Sequence, residues 1–348
     1  MKAILKTLAV TVVCCGMVSS ALAEERRDGE GRRRHERHEE GRRRHERRED
    51  GRRPHERHGE GRRGRWDGRE RREDGDSRRQ SWQMAEHKTF LDVRYAEKRA
   101  ELPPDDPDQD RTLDIHIPNG AKPASGWPVV VFIHGGGFSS GSKAPTRGVG
   151  PIFNALLAKG YAVVSINYLL TRKNRRGGRG GDRRGMKDGF PSGGKFDALF
   201  EQAIEDASTD ADLALKWLDA HAKDYGFDKS SVAVMGGSAG AITALYATYV
   251  KKAPNIRAVV NCWGGIADTA LIKDKSIPIF TVHGDKDDVI NVCYGRGIQK
   301  RMEELGSKAS RLVVLEGFGH AQYGHVARSF MDEIASFLGS AMKQEKRK

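Results

Sequence analysis

From residue 86 onward the chain alternates short, unbroken apolar runs with longer segments in which apolar residues recur every three or four positions. The runs 129–133, 161–166, 232–235, 277–282 and 311–315 are rich in Val, Ile and aromatic residues and show no in-out alternation. Such runs are expected to be strands buried on both faces, as in a parallel sheet. The segments between them predict helices over 150–159, 197–225, 239–250, 292–305 and 321–338. Strand and helix in alternation imply an α/β fold, a mostly parallel sheet covered by helices on both faces. Strands at 89–95 and 111–117 are expected to open the sheet as an antiparallel pair, joined through the turn-rich Pro103-Pro104-Asp105-Asp106-Pro107. Residues 86–342 are enough for one domain with a full core.

Candidate chemistry gathers where these strands end. Gly236-Gly237-Ser238-Ala239-Gly240 joins the run 232–235 to an apolar helix. A serine at such a sharp turn is forced to positive φ, which lifts its Oγ above the sheet, while small residues at 236 and 240 leave room for the bend. Ser238 is therefore the candidate nucleophile. The run 129–133 ends in His134-Gly135-Gly136-Gly137-Phe138, where missing side chains let backbone amides approach a developing oxyanion. The amides of Gly136, Gly137 and Ala239 form the candidate oxyanion hole, aided by the positive end of the helix that starts at Ala239. After the run 311–315 comes Gly317-Phe318-Gly319-His320, which makes His320 the candidate base, with His325 in the following helix as its rival. The strand at 277–283 leads into Gly284-Asp285-Lys286-Asp287-Asp288-Val289, where three aspartates compete to be the acid. His134 and His283 end strands before glycines and are expected to orient loops by hydrogen bonding. The chain order of serine, acid and histidine is that of the α/β-hydrolase fold.

The stretches Pro128–Phe138, Gly160–Tyr168 and Lys216-Trp217-Leu218 through Tyr225-Gly226-Phe227-Asp228 into Val232–Gly240 are similar to α/β-hydrolases of the bacterial feruloyl or acetyl esterase type, related to the hormone-sensitive-lipase group. The resemblance implies a serine carboxylesterase that needs neither cofactor nor metal and works through an acyl-enzyme. It also implies Asp287 as the acid, since hydrolases with His-Gly-x-x-Asp after this strand use the fifth residue of that motif. Asp285 and Asp288 then suit a turn and a solvated or capping position. Substrates expected from the resemblance are acetyl or feruloyl esters on polysaccharides. Two positions depart from it. Gly237 stands where the lipase-like group usually has Asp, and Tyr168 is followed by a long basic insertion over 172–188. A peptidase or acylaminoacyl hydrolase of the same fold is the alternative, although its elbow typically has Tyr where Ala239 stands.

Charge and composition add an N-terminal story. Lys2 and Lys6 precede the apolar run Leu8–Val18, and Ala21-Leu22-Ala23 offers a cleavage site, so residues 1–23 read as a secretory signal and the chain as secreted or periplasmic. The run is too short for a membrane span. Residues 24–85 are an Arg/Glu/His/Gly-rich tail with a ten-residue period starting at Gly31, Gly41 and Gly51. Between 24 and 80 it holds 22 Arg against 17 acidic residues and Trp66 as its one aromatic. It cannot bury enough apolar surface to fold and is expected to be disordered. Its His35, His38, His55 and His58 have spacings that chelate metal only weakly. The insertion 172–188 carries eight basic and two acidic residues, and 343–348 form a basic C-terminal tail. Tail and insertion are candidate contacts for a polyanion, with an anionic polysaccharide ester as the favoured ligand. They also leave open a polyanion-binding protein on a vestigial hydrolase fold. Export would remove Cys14 and Cys15, leaving open whether Cys262 and Cys293 pair.

Overall fold

The computed structural model describes residues 84–100, 110–146, 148–173 and 184–343. The expected leader, the repeat tail with its histidines, the expected turn at Pro103–Pro107, the middle of the basic insertion and residues 344–348 lie outside them. Within the described residues eight strands make one sheet: β1 (Lys88–Arg94), β2 (Thr112–Ile117), β3 (Trp127–Ile133), β4 (Ala162–Ile166), β5 (Phe227–Gly237), β6 (Ile256–Cys262), β7 (Ile279–Gly284) and β8 (Arg311–Leu315). Their spatial order is β1-β2-β4-β3-β5-β6-β7-β8. β2 runs antiparallel to β1 and β4, and every other neighbouring pair is parallel.

Successive side chains of a strand point to opposite faces, and β3 fills both. Val129, Val131 and Ile133 enter one core while Val130 and Phe132 enter the other. Helices α1 (Gly150–Ala158), α6 (Tyr323–Ser329) and α7 (Met331–Met342) cover the second core; α2 (Arg184–Lys187), α3 (Ala198–Tyr225), α4 (Ala239–Tyr249) and α5 (Cys293–Glu304) cover the first. The Asp197 carboxylate starts α3 by accepting the Phe200 N–H at 3.0 Å, and Gly226 ends it in the left-handed conformation. All of α4 is buried, which explains why its sequence is apolar on every side.

Two elements differ from the sequence reading. β6 was not anticipated, because Arg257 and Asn261 interrupt its apolar run and hide its strand character. The single helix expected over 321–338 is two helices that start at Tyr323 and part at Phe330 (φ −125°, ψ −3°). Ala321 has φ 64°, which a right-handed helix cannot contain. The break lets α7 lay Met331, Ile334 and Leu338 into the core independently of α6.

Candidate active site

The turn between β5 and α4 places Ser238 at φ 57°, ψ −126°. A Cβ on Gly240 would overlap the Ile133 carbonyl oxygen, and one on Gly236 would overlap the Gly240 backbone. α4 therefore begins in direct contact with the end of β3, and only glycine fits there. The Ser238 N–H donates to the Cys262 carbonyl at 3.0 Å, which ties the strained turn to the end of β6. Strain at one residue persists because its neighbours over-determine it.

Three side chains from three strand ends meet at this point. Ser238 Oγ lies 2.9 Å from His320 Nε2, and His320 Nδ1 lies 2.7 Å from Asp287 Oδ2. With Nδ1–H donating to the carboxylate, Nε2 is bare and accepts the serine proton. Burial of Asp287 opposes its ionisation. The hydrogen bonds it receives from His283, His320 and the backbone N–H groups of Ile290 and Val289 outweigh that and hold the carboxyl well below the usual carboxylate range. It is a fixed anion under an imidazole. The buried His283 braces the loop, with Nε2 2.8 Å from the Ile290 carbonyl and 3.4 Å from Asp287 Oδ2. Asp285 does not reach His320; its Oδ1 accepts the Gly317 N–H at 2.6 Å and so ties the acid loop to the histidine loop. Asp288 is exposed, and His325 stacks on Phe318 at 4.4 Å without reaching Ser238.

The glycine loop after β3 runs beside the serine: a Cβ on Gly135 would lie 3.5 Å from Ser238 Cβ. The Gly136 carbonyl accepts from the N–H and hydroxyl groups of Ser139 and Ser140, and the Gly135 carbonyl lies 2.7 Å from His134 Nδ1. In a trans peptide the N–H points opposite the preceding carbonyl, so the Gly136 and Gly137 amides face away from those contacts. Ala239, first in α4, has no intrahelical acceptor for its N–H. Within the described residues no protein acceptor meets these three amides. The segment after β4 holds the loop in place. The Tyr168 ring stacks on His134 at 4.3 Å and its hydroxyl donates to the His134 carbonyl at 2.8 Å. Arg172 N–H donates to the Phe138 carbonyl at 2.9 Å, and its guanidinium sits over the Phe200 ring. The first residue of the basic insertion thus serves the loop rather than solvent.

Cys262 and Cys293 are both free thiols, the first buried under the elbow. Among the described residues no group of three or more His, Cys, Asp or Glu side chains is arranged to hold a metal, and no helix is long and apolar enough to cross a membrane. Sequence reasoning missed Trp263 and Tyr323. The fully buried Trp263 packs its ring 6.3 Å from that of His320, and Tyr323 packs edge-on to Trp263 at 4.8 Å. The one available signal was Gly237, whose missing side chain makes room for Tyr323.

Two family models match successive parts of the chain: BD-FAE over residues 113–178 and Phospholipase/Carboxylesterase over residues 191–341. The first spans β2 to β4 with the glycine loop; the second contains Ser238, Asp287 and His320. An uncharacterized esterase/lipase of Schizosaccharomyces pombe is 34% identical over 152 residues, which cover 41% of this chain and 25% of that protein. The chain thus spans about a quarter of the length of this curated relative. Among solved structures, a truncated carbohydrate esterase from gut microbiota superposes with a TM-score of 0.54 at 16% identity, covering 74% of this chain and 99% of the other. Esterase 2 of Thermogutta terrifontis, phosphonylated by cyclosarin, gives 0.51 at 20% identity, covering 74% and 95%. At such identities the likeness is one of fold. Sheet order and elbow give the chain an α/β-hydrolase fold, and the family matches make parts of it similar to carboxylesterases.

Proposed function

We propose that the chain is a serine carboxylesterase that removes acetyl or feruloyl-type groups from polysaccharides, outside the cytoplasm. The observation that carries the reading is the line Ser238 Oγ, His320 Nε2, Nδ1, Asp287 Oδ2, with contacts of 2.9 and 2.7 Å on a strained elbow. Ser238 Oγ attacks the ester carbonyl while its proton passes to His320 Nε2. The carbonyl electron pair becomes an oxyanion held by the amides of Gly136, Gly137 and Ala239. As that pair returns, the bond to the alcohol breaks and His320 gives its proton to the departing oxygen. Water, deprotonated by His320, then attacks the acyl-serine; as the acyl–Oγ bond breaks, His320 returns the proton to Ser238 Oγ and the acid is released. Asp287 stays ionised throughout and offsets the imidazolium charge.

Support for the polysaccharide lies in the motifs shared with feruloyl and acetyl esterases, and support for export lies in the leader over residues 1–23. The basic insertion and tail are proposed to attract acidic glycans. Ser238→Ala is the direct test. It is expected to lower turnover of aryl acetates by about 10⁴-fold or more and to abolish labelling by a fluorophosphonate, with the fold intact by circular dichroism. Labelling of the Ala variant at the wild-type level would move the nucleophile elsewhere.

A further inference from the structure

Tyr323, three residues beyond His320, lies against the nucleophile turn. A Cβ on Gly237 would overlap its hydroxyl, and one on Gly135 would come within 3.4 Å of it. The phenol oxygen therefore lies against the Gly237 backbone next to Ser238, with Gly135 of the glycine loop nearby. Its ring is fixed edge-on to Trp263 at 4.8 Å, and Trp263 in turn stands 6.3 Å from His320. Within the described residues the hydroxyl has no hydrogen-bond partner, and the side chain is only partly buried. Burial pushes the phenol up from its ordinary value, so it remains a donor at any pH where a histidine base works.

A serine hydrolase returns the proton of its histidine to the leaving oxygen, so the alcohol half of the ester must sit on the His320 side of Ser238. Tyr323 packs toward that side through Trp263, and its hydroxyl is an unused donor beside the elbow. We propose that Tyr323 is a specificity-determining residue for the alcohol, its hydroxyl donating a hydrogen bond to an oxygen of a polyhydroxylated alcohol such as a sugar ring. Gly237 is the enabling residue, because any side chain before the nucleophile would occupy the position of the phenol. The inference rests on the esterase reading above.

The test compares two esters that form the same acetyl-enzyme, a mono-acetylated methyl glycoside and 4-nitrophenyl acetate, in wild type and Tyr323→Phe. The Phe variant keeps the ring on Trp263 and removes only the donor. Expected is a fall of roughly tenfold in kcat/KM for the glycoside ester, with the aryl ester within about threefold. Equal losses on both esters would reduce Tyr323 to packing beneath the elbow, and no loss on either would remove it from the site; both outcomes overturn the proposal. Wild type that cleaves the aryl ester alone overturns it too, while leaving the esterase intact. Wild type inactive on both esters overturns the esterase reading and this one with it.

Discussion

At the scale of single residues, the acid loop shows how neighbouring aspartates acquire different tasks. Asp287 receives two backbone N–H bonds and two imidazoles, whereas Asp285, two residues earlier, spends its Oδ1 on the Gly317 amide. Asp287→Asn keeps the shape but offers an amide where Nδ1–H needs a carboxylate, so the imidazole is held in the wrong tautomer. A fall in kcat of about 10⁴-fold is expected. Asp285→Asn retains an acceptor for Gly317 and is expected to stay within about tenfold of wild type, by steady-state kinetics on an aryl acetate. If Asp285→Asn were the dead variant, the distances at His320 would not describe the working acid. The sequence narrowed the acid to three aspartates. The resemblance pointed to Asp287 among them, and in the structure Asp287 lies 2.7 Å from His320 while Asp285 binds Gly317.

At the scale of elements, the antiparallel edge of the sheet carries a pH-sensitive join. His116 of β2 is buried, its Nδ1 2.8 Å from His87 Nε2, with Asp114 and Lys143 also facing it and Phe153 packed on its ring. Burial first, then the His87 and Lys143 charges, lower its pKa to about 4, against the partial help of Asp114. The folded state therefore binds this proton more weakly than the unfolded chain. Stability from this group is complete above about pH 6.5 and is lost as pH falls toward 4, by up to about 3 kcal/mol. Thermal unfolding followed from pH 7 to 4.5 is expected to show a steep decline in Tm for wild type and a shallower one for His116→Gln. Parallel declines would place the acid sensitivity elsewhere. Nothing in the alternation of the strand announces this pair, since it forms only when β1 is laid against β2.

At the scale of the whole molecule, the candidate active site and most of the charge occupy different stretches of chain. Both cores, the sheet and all three triad side chains fall within the described residues from 84 to 343, while most of the surplus Arg lies outside them. If the insertion steers an acidic polymer, the attraction fades as the Debye length shrinks from about 10 Å at 0.1 M salt to about 3 Å at 1 M. Replacing Arg175, Arg176, Arg183 and Arg184 with Ser is expected to raise KM for an acidic, esterified polysaccharide at low salt and to erase its salt dependence. Arg172 is left in place because it braces the oxyanion loop. Turnover of a neutral aryl acetate serves as the control and is expected to be unchanged. Equal KM changes on both substrates would assign the insertion a structural role instead.

The sequence by itself determined the α/β architecture and the strand ends at which the chemistry sits. Runs buried on both faces cannot alternate, and a serine between two crowded strand and helix backbones requires glycine around it, so both leave local marks in the chain. The sharp turn at Ser238 and the glycine loop after β3 were legible for that reason. What only the tertiary structure decided depends on groups far apart in sequence. β6 became a strand because β5 and β7 offer their edges to it. The helix at 321–338 broke because the packing of Met331 and Ile334 outweighs local continuity. The contact of Asp287 with His320 depends on how two distant loops pack, and Tyr323 lies against the elbow through a vacancy at Gly237, 86 residues earlier in the chain. Local sequence encodes where the backbone turns; which side chains then meet is set by long-range packing that no short window of residues contains.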